Sequence, residues 1–105
     1  MSLLPALTQA AAPVSRKLYW RYNEKSQHAM RDGDMNAAKE AFAKEVARAP
    51  DYHEFRFWLA VAYLKLGDVE QARKHLTIAM QNSTTRRDHD LYAAKLDLIN
   101  AARAN

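Results

Sequence analysis

The chain contains no cysteine, and its 105 residues include only two glycines and three prolines. The absence of cysteine excludes a disulfide framework and a thiolate metal site, and it leaves the redox compartment open. Scarce turn residues, and no alternation of apolar with polar residues, leave little room for a β-sheet. No apolar run approaches the roughly 18 residues of a membrane span. We therefore predict a soluble, all-α domain.

The two glycines carry the clearest pattern in the chain, because an aspartate follows each and the two pairs lie 34 residues apart. The positions that repeat with this period are Gly33 and Gly67, Asp34 and Asp68, Ala38 and Ala72, and Phe42 and Leu76. Glycine adopts a left-handed backbone at little cost and can end a helix, and the aspartate can cap the next helix. Small alanines allow two antiparallel helices to approach closely. The period therefore predicts an array of helical hairpins.

Residues at these spacings resemble the tetratricopeptide repeat (TPR) family. The second copy of the repeat carries the family's small and large apolar positions at Leu59, Ala60, Tyr63, Gly67, Ala72, Leu76 and Ala79. The first copy is weaker in its opening helix, where only Ser26 fits, but its closing helix keeps Ala38, Phe42 and the terminal Pro50. The second copy has Thr84 in place of that proline. Together the two copies cover about two thirds of the chain.

The resemblance implies tandem antiparallel helical hairpins in a right-handed superhelix, with a C-terminal solvating helix that covers the last hairpin. We expect a flexible or short helical lead at 1–12 and a single domain at 13–105, with repeats at 19–52 and 53–86 and a capping helix at 87–104. Punctuation and periodicity place five helices at about 13–32, 34–49, 51–66, 68–82 and 87–104. Asp51 with Glu54, and Asp68 with Gln71, approximate capping boxes.

In the superhelix that this family forms, the opening helix of each hairpin lines a concave surface. The resemblance places on it Trp20, Asn23, Gln27, Met30 and Arg31 from the first copy, and Glu54, Phe57, Trp58, Val61, Leu64 and Lys65 from the second. A concave apolar stripe with a few polar groups suits a peptide or a partner helix. The alternative is that the large apolar members pack against neighbouring helices, since aromatics dominate both cores and interfaces. For the set as a whole we favour binding.

TPR proteins that grip the C-terminal carboxylate of heat-shock chaperones use a lysine and an asparagine on the first opening helix, and another asparagine on the next. The corresponding residues in this chain are Asn23, Gln27 and Trp58, so this clamp is absent. The resemblance therefore implies a protein partner that is less anionic and more apolar than a chaperone tail.

The first long helix concentrates positive charge, in a chain whose formal net charge is +4. Lys17, Arg21 and Lys25 lie four residues apart and form one stripe, with His28 near the same face. Aromatic residues lie between them, at Tyr19, Trp20 and Tyr22, as they do on surfaces that bind single-stranded nucleic acid. An ordinary solvated face explains the stripe more simply, because charge elsewhere in the chain is mixed. Nucleic-acid binding is therefore the less favoured alternative.

Catalytic chemistry finds little support in the sequence. The four histidines are scattered, and His53 lacks the second histidine that a zinc-binding helix carries four residues on. Asp88, His89 and Asp90 gather three candidate ligands, but neighbouring helical residues point apart and rarely meet at one ion. No glycine-rich phosphate loop, cysteine nucleophile or serine elbow is present. We expect a non-enzymatic protein with no cofactor and no metal.

Repeat arrays generally need about three repeats to bury a continuous core, and this chain has two and one further helix. The N-terminal segment, a second copy of the chain, or a longer solenoid around a fragment could supply the missing cover, so a homo-oligomer stays open. The N-terminal segment lacks the positive charge of a signal peptide, and Pro5, Thr8 and Gln9 interrupt its apolar run. We expect a cytoplasmic protein, or a periplasmic one if the chain is a fragment of an exported protein.

Overall fold

The computed structural model describes residue 24 and residues 28–104, with side chains up to residue 102. The helices in this part of the chain are α1 at 28–31, α2 at Met35–Arg48, α3 at His53–Lys65, α4 at Val69–Asn82 and α5 at Arg86–Ala104. No strand occurs among these residues, which confirms the all-α prediction over them. None of the described helices is long and apolar enough to cross a lipid bilayer.

Some predictions concern residues outside the described part of the chain. They are the lead at 1–12, the concave residues Trp20, Asn23 and Gln27, and the stripe formed by Lys17, Arg21 and Lys25 with Tyr19 and Tyr22. These stay predictions.

Each glycine ends a helix in the left-handed backbone region, with φ of +78° at Gly33 and +84° at Gly67. At the second turn the N–H of Asp68 donates to the carbonyl of Tyr63 at 2.9 Å, and the N–H of Gly67 donates to that of Leu64 at 3.0 Å. The first turn makes the same pair of bonds, which satisfy carbonyls that a helix end leaves free. An added Cβ would meet no atom within 4 Å at either position, so the backbone conformation alone favours glycine there.

The aspartates that follow the glycines cap the next helices, as the sequence predicts. Asp34 Oδ1 accepts a hydrogen bond from the N–H of Ala37 at 3.1 Å, and Asp68 Oδ1 accepts one from the N–H of Gln71 at 3.2 Å. Each bond satisfies one of the free N–H groups at the start of a helix and contributes about 1 kcal/mol. Two adjacent residues therefore encode both the end of one helix and the start of the next.

The cap predicted at Asp51 is wrong. α3 begins at His53 after Tyr52, and no side chain in the described part of the chain caps it. The N–H of Tyr52 donates to the carbonyl of Ala49 at 3.1 Å, which closes a turn and keeps Asp51 two residues before the helix. Tyr52 donates its hydroxyl to Glu54 Oε1 at 2.7 Å, so Glu54 is held by a side chain and not by a capping box.

Two adjoining clusters of buried side chains form the core. α2 packs on α3 through Ala38, Phe42, Val46, Phe55, Leu59 and Ala62, and α3 packs on α4 and α5 through Ala60, Ala72, Leu76, Ala79, Tyr92 and Leu96. The predicted core positions are buried: Ala38, Ala72 and Phe42 expose none of their surface, and Leu76 exposes 1%. The alanines let neighbouring helices approach, and the large residue beside each alanine fills the remaining space.

α5 packs on α4. It begins at Arg86, one residue earlier than predicted. Thr85 holds its first turn, because Thr85 Oγ1 accepts a hydrogen bond from the N–H of Asp88 at 3.1 Å. Farther along, Arg73 of α4 donates from Nε to Asn100 Oδ1 at 3.1 Å. The first bond stabilises the start of α5, and the second joins its last turns to α4.

The two sides of α5 differ sharply in burial. Tyr92 and Leu96 are buried against α3 and α4, and we call them the packed face. Leu91 and Leu98 expose 44% and 69% of their surface. Leu91, Lys95 and Leu98 follow one another at spacings of four and three residues, which places them on one side of the helix. We call these three residues the outer face.

Candidate functional site

A buried polar pair joins the first half of α5 to the start of α3. His53 Nδ1 and the Tyr92 hydroxyl are hydrogen-bonded at 2.7 Å. Phe57, one turn after His53, packs on the Tyr92 ring with 5.3 Å between ring centroids. These contacts set α3 and α5 side by side, with their first halves adjacent.

α3 and α5 each carry an apolar stripe, and the two stripes meet at one cavity. Phe57, Val61 and Leu64 lie on one side of α3, at spacings of four and three residues, and all three are partly exposed. Leu64 lines the same cavity as Leu98, so the outer face of α5 continues the apolar stripe of α3. We call the surface formed by Phe57, Val61, Leu64, Leu91 and Leu98 the α3–α5 groove.

The groove ends in an open cavity of about 450 Å³, which we call the notch. The end of α3, the start of α4 and the end of α5 supply its lining, which is Leu64, Val69, Glu70, Leu98, Ile99 and Ala102. Glu70 accepts a hydrogen bond from Arg73 Nη1 at 2.7 Å, so its charge is already paired. A cavity of this size with an apolar lining suits a large apolar side chain.

The other predicted concave residues divide between packing and exposure. Trp58 is half-buried, and its ring stacks on Phe42 of α2 at 6.3 Å between centroids. Met30 packs against the cluster between α2 and α3. Arg31 and Lys65 are exposed at the ends of their helices. The structure therefore places Phe57, Val61 and Leu64 along one side of α3, while Trp58 and Met30 support the contact with α2.

The outer face of α5 is the part of the groove that the sequence-based site does not include. The 34-residue period could have found it, because it relates Phe57 to Leu91, Val61 to Lys95, and Leu64 to Leu98. α3 begins at His53 and α5 at Arg86, so the starts of the two helices agree with this period to within one residue. α5 thus corresponds in the repeat to α3, and its outer face corresponds to the side of α3 that carries Phe57, Val61 and Leu64.

Two carboxylates lie at the end of the groove opposite the notch. Glu54 follows His53 on α3, and Asp88 lies one turn before Tyr92 on α5. Burial raises the pKa of Tyr92 to about 12, and the charges of Asp88 and Glu54 add to the effect. Both carboxylates are therefore within electrostatic reach of one hydroxyl, and both are partly buried. The groove has an acidic end and an apolar end.

A second polar pair lies in the contact between α3 and α4. Arg56 Nη1 donates to His75 Nδ1 at 3.0 Å, since a guanidinium has no acceptor, and Arg56 Nε donates to the carbonyl of Pro50 at 3.1 Å. The Tyr63 ring stacks on His75 with 5.7 Å between centroids. Burial, and then the charges of Arg56 and Lys74, lower the pKa of His75 to about 4. His75 is therefore a neutral structural residue near pH 7.

The three candidate ligands at 88–90 do not converge. His89 Nδ1 lies 3.4 Å from Asp90 Oδ1 and both side chains are exposed, whereas Asp88 is partly buried near the groove. Within residues 28–102, no group of three or more His, Cys, Asp or Glu side chains could hold a metal ion. What these helices offer instead is an apolar surface with two carboxylates at one end.

Comparison with known families decides the classification. A tetratricopeptide repeat family model matches residues 29–96, about two thirds of the chain, from α1 into α5. The chain belongs to the tetratricopeptide repeat family. TPR domains generally mediate contacts between proteins and are generally not catalytic. No curated protein and no solved structure is significantly similar to this TPR chain.

Proposed function

We propose that this TPR domain is a non-enzymatic protein-interaction module that binds a peptide or a partner segment in the α3–α5 groove. Membership of the family supports the class of function. The apolar stripe shared by α3 and α5 supports the location, because the concave side of a TPR array is formed by opening helices in this register.

The exposure of Leu98 is the observation that carries the proposal. Leu98 exposes 69% of its surface beside an apolar cavity, and Leu91 exposes 44% two turns earlier. Burying a leucine side chain stabilises a protein by roughly 1.5–3 kcal/mol, and this gain is not realised at Leu98 in the isolated chain. An exposed leucine beside an apolar cavity is a place where a partner can bury further apolar surface. A partner segment would complete the burial.

The aromatic residues of α3 serve both packing and, on this proposal, binding. Phe57 contacts the rings of Trp58 and Tyr92 at 5.1 and 5.3 Å between centroids, so one side of it belongs to the fold. Removing Phe57 would loosen the packing of α3 on α5 as well as change the groove. Leu98→Gln is the cleaner variant, because it replaces an exposed side chain and glutamine retains a helix propensity close to that of leucine.

The first test is to select binding peptides from a phage-displayed random library and to map where they bind. We expect the selected peptide to shift the backbone amide resonances of Val61, Leu64 and Leu98 in ¹⁵N-labelled protein. Amides near Glu40 and Lys44, on the exposed side of α2, serve as the internal control and should not move. Shifts confined to α2, or no selectable peptide at all, would reject the groove as the binding site.

A further inference from the structure

The two ends of the α3–α5 groove differ in chemistry in a way that restricts the partner. On α3, Glu54 precedes Leu64 by ten residues, and on α5, Asp88 precedes Leu98 by ten residues. At 1.5 Å of rise per residue, each carboxylate lies about 15 Å along the helix from the leucine at the notch. The groove is therefore a surface with two carboxylates at one end and an apolar cavity at the other.

The carboxylates at the acidic end have no ion-pair partner in the described part of the chain. Glu54 is held in place at 2.7 Å by the hydroxyl of Tyr52, a neutral donor, and the partial positive charge at the start of α3 compensates its carboxylate only in part. Asp88 has its backbone N–H fixed by Thr85, at 3.1 Å. The nearest cation along α5, Arg87, is exposed and is the adjacent helical position, which points in a different direction. Partly buried, unpaired carboxylates next to an apolar surface favour a cationic side chain.

A lysine in the middle of the groove restricts where a basic side chain of the partner can lie. Lys95 lies between Leu91 and Leu98 on the outer face and is partly buried. Its ammonium group repels another cation, so a basic residue of the partner is disfavoured near the middle of the groove. The acidic end thus becomes the favoured position for a basic side chain, and the notch the favoured position for an apolar one.

We propose, building on the proposed function, that the groove takes a protein segment with two anchors. An arginine or lysine of that segment pairs with Glu54 and Asp88, and a large apolar side chain about 15 Å away enters the notch beside Leu64 and Leu98. The charge complementarity disfavours nucleic acid as the occupant of this surface, because phosphates would meet the two carboxylates. It also defines the orientation of the segment along the groove.

The test uses the peptides selected on the wild-type protein from the random library. We expect them to share one basic and one large apolar residue at a fixed spacing. About 15 Å corresponds to four or five residues of an extended segment, or to about ten residues of a helix. We then expect the double variant Glu54→Gln with Asp88→Asn to bind the peptide about fivefold to tenfold more weakly than the wild type does. A peptide whose basic residue is replaced by glutamine should bind the double variant and the wild type equally, because the ion pair is already absent.

Asp51→Asn with Asp97→Asn is the matched control, because it removes the same charge from two exposed carboxylates outside the groove. This variant should bind the peptide as the wild type does. An equal loss of affinity in both double variants would show a general charge effect and overturn the inference.

The remaining outcomes separate this inference from the proposed function. Peptides that shift groove resonances but show no preference for a basic residue overturn the two-anchor proposal and leave the binding groove intact. Peptides that bind elsewhere overturn both. A concentration-dependent dimer in sedimentation that Leu98→Gln converts to a monomer would make a second copy of the chain the occupant, and would also overturn the two-anchor proposal.

Discussion

Helix α5 buries one set of its apolar residues and exposes another. On the packed face, Tyr92 exposes 2% of its surface and Leu96 exposes 9%. On the outer face, Leu91 and Leu98 expose 44% and 69%. Both sets are apolar and both have helical spacing, so hydrophobicity alone does not distinguish them. The difference lies in their neighbours, because α3 and α4 cover one side of α5 and leave the other open to the groove.

This contrast separates the residues that fold the domain from those that we propose bind a partner. The packed face takes part in the closed cluster around Leu76 and in the hydrogen bond between Tyr92 and His53. The outer face continues the stripe of α3 and ends at the notch. Substitutions on the packed face should therefore lower the free energy of unfolding, and substitutions on the outer face should weaken the binding of a partner.

The largest expected difference comes from the same substitution on the two faces. Leu96→Ala should lower the free energy of unfolding by about 2–4 kcal/mol, because it leaves a cavity in a closed cluster. Leu98→Ala should lower it by no more than about 0.5 kcal/mol, since the side chain already lies largely in solvent. Urea denaturation of both variants measures this directly. Similar losses in the two variants would mean that the faces are not distinct.

A smaller loss of stability should occur at low pH, because His75 of α4 is packed against α3. Burial lowers the pKa of His75 from its ordinary 6.5 to about 4 in the folded protein, so the unfolded chain binds more protons between these two pH values. The contribution of His75 is complete above pH 6.5 and is lost as the pH falls toward 4. From pH 7 to 5.5 the expected loss is on the order of 1 kcal/mol, after allowance for solvent screening.

Urea denaturation at the two pH values, in wild type and in His75→Gln, isolates this contribution. The variant should be less stable at pH 7, because Arg56 loses the imidazole acceptor and Tyr63 loses the ring that stacks on it, but its stability should fall less with acid. The exposed His89 provides the control, since His89→Gln should keep the pH dependence of the wild type. A His75→Gln variant with unchanged pH dependence would show that protonation of His75 does not couple to folding.

The sequence predicts much of this fold because its turns are local. A glycine with positive φ and the aspartate cap that follows it depend on a few neighbouring residues, so the 34-residue period of Gly33 and Gly67 predicts both turns. The cap predicted at Asp51 does not form, because a turn occupies that segment. The hydrogen bond from the N–H of Tyr52 to the carbonyl of Ala49 closes this turn, and the local sequence pattern does not predict it.

The site is predicted less completely because it depends on contacts between distant helices. Phe57, Val61 and Leu64 are found from the position of α3 in the repeat. Leu91 and Leu98 carry no local sign of exposure, since both have the spacing of a buried helical face. The packing of Tyr92 on His53 and Phe57, together with the burial of Leu96, shows which side of α5 is covered.

The most direct test of the proposed groove is the affinity of the selected peptide for Leu98→Gln, measured by calorimetry beside the urea midpoint of the same variant. We expect at least about tenfold weaker binding with an unchanged midpoint, because Leu98 borders the notch and contributes little to the fold. Unchanged affinity, or a loss of affinity that follows a loss of stability, would contradict it.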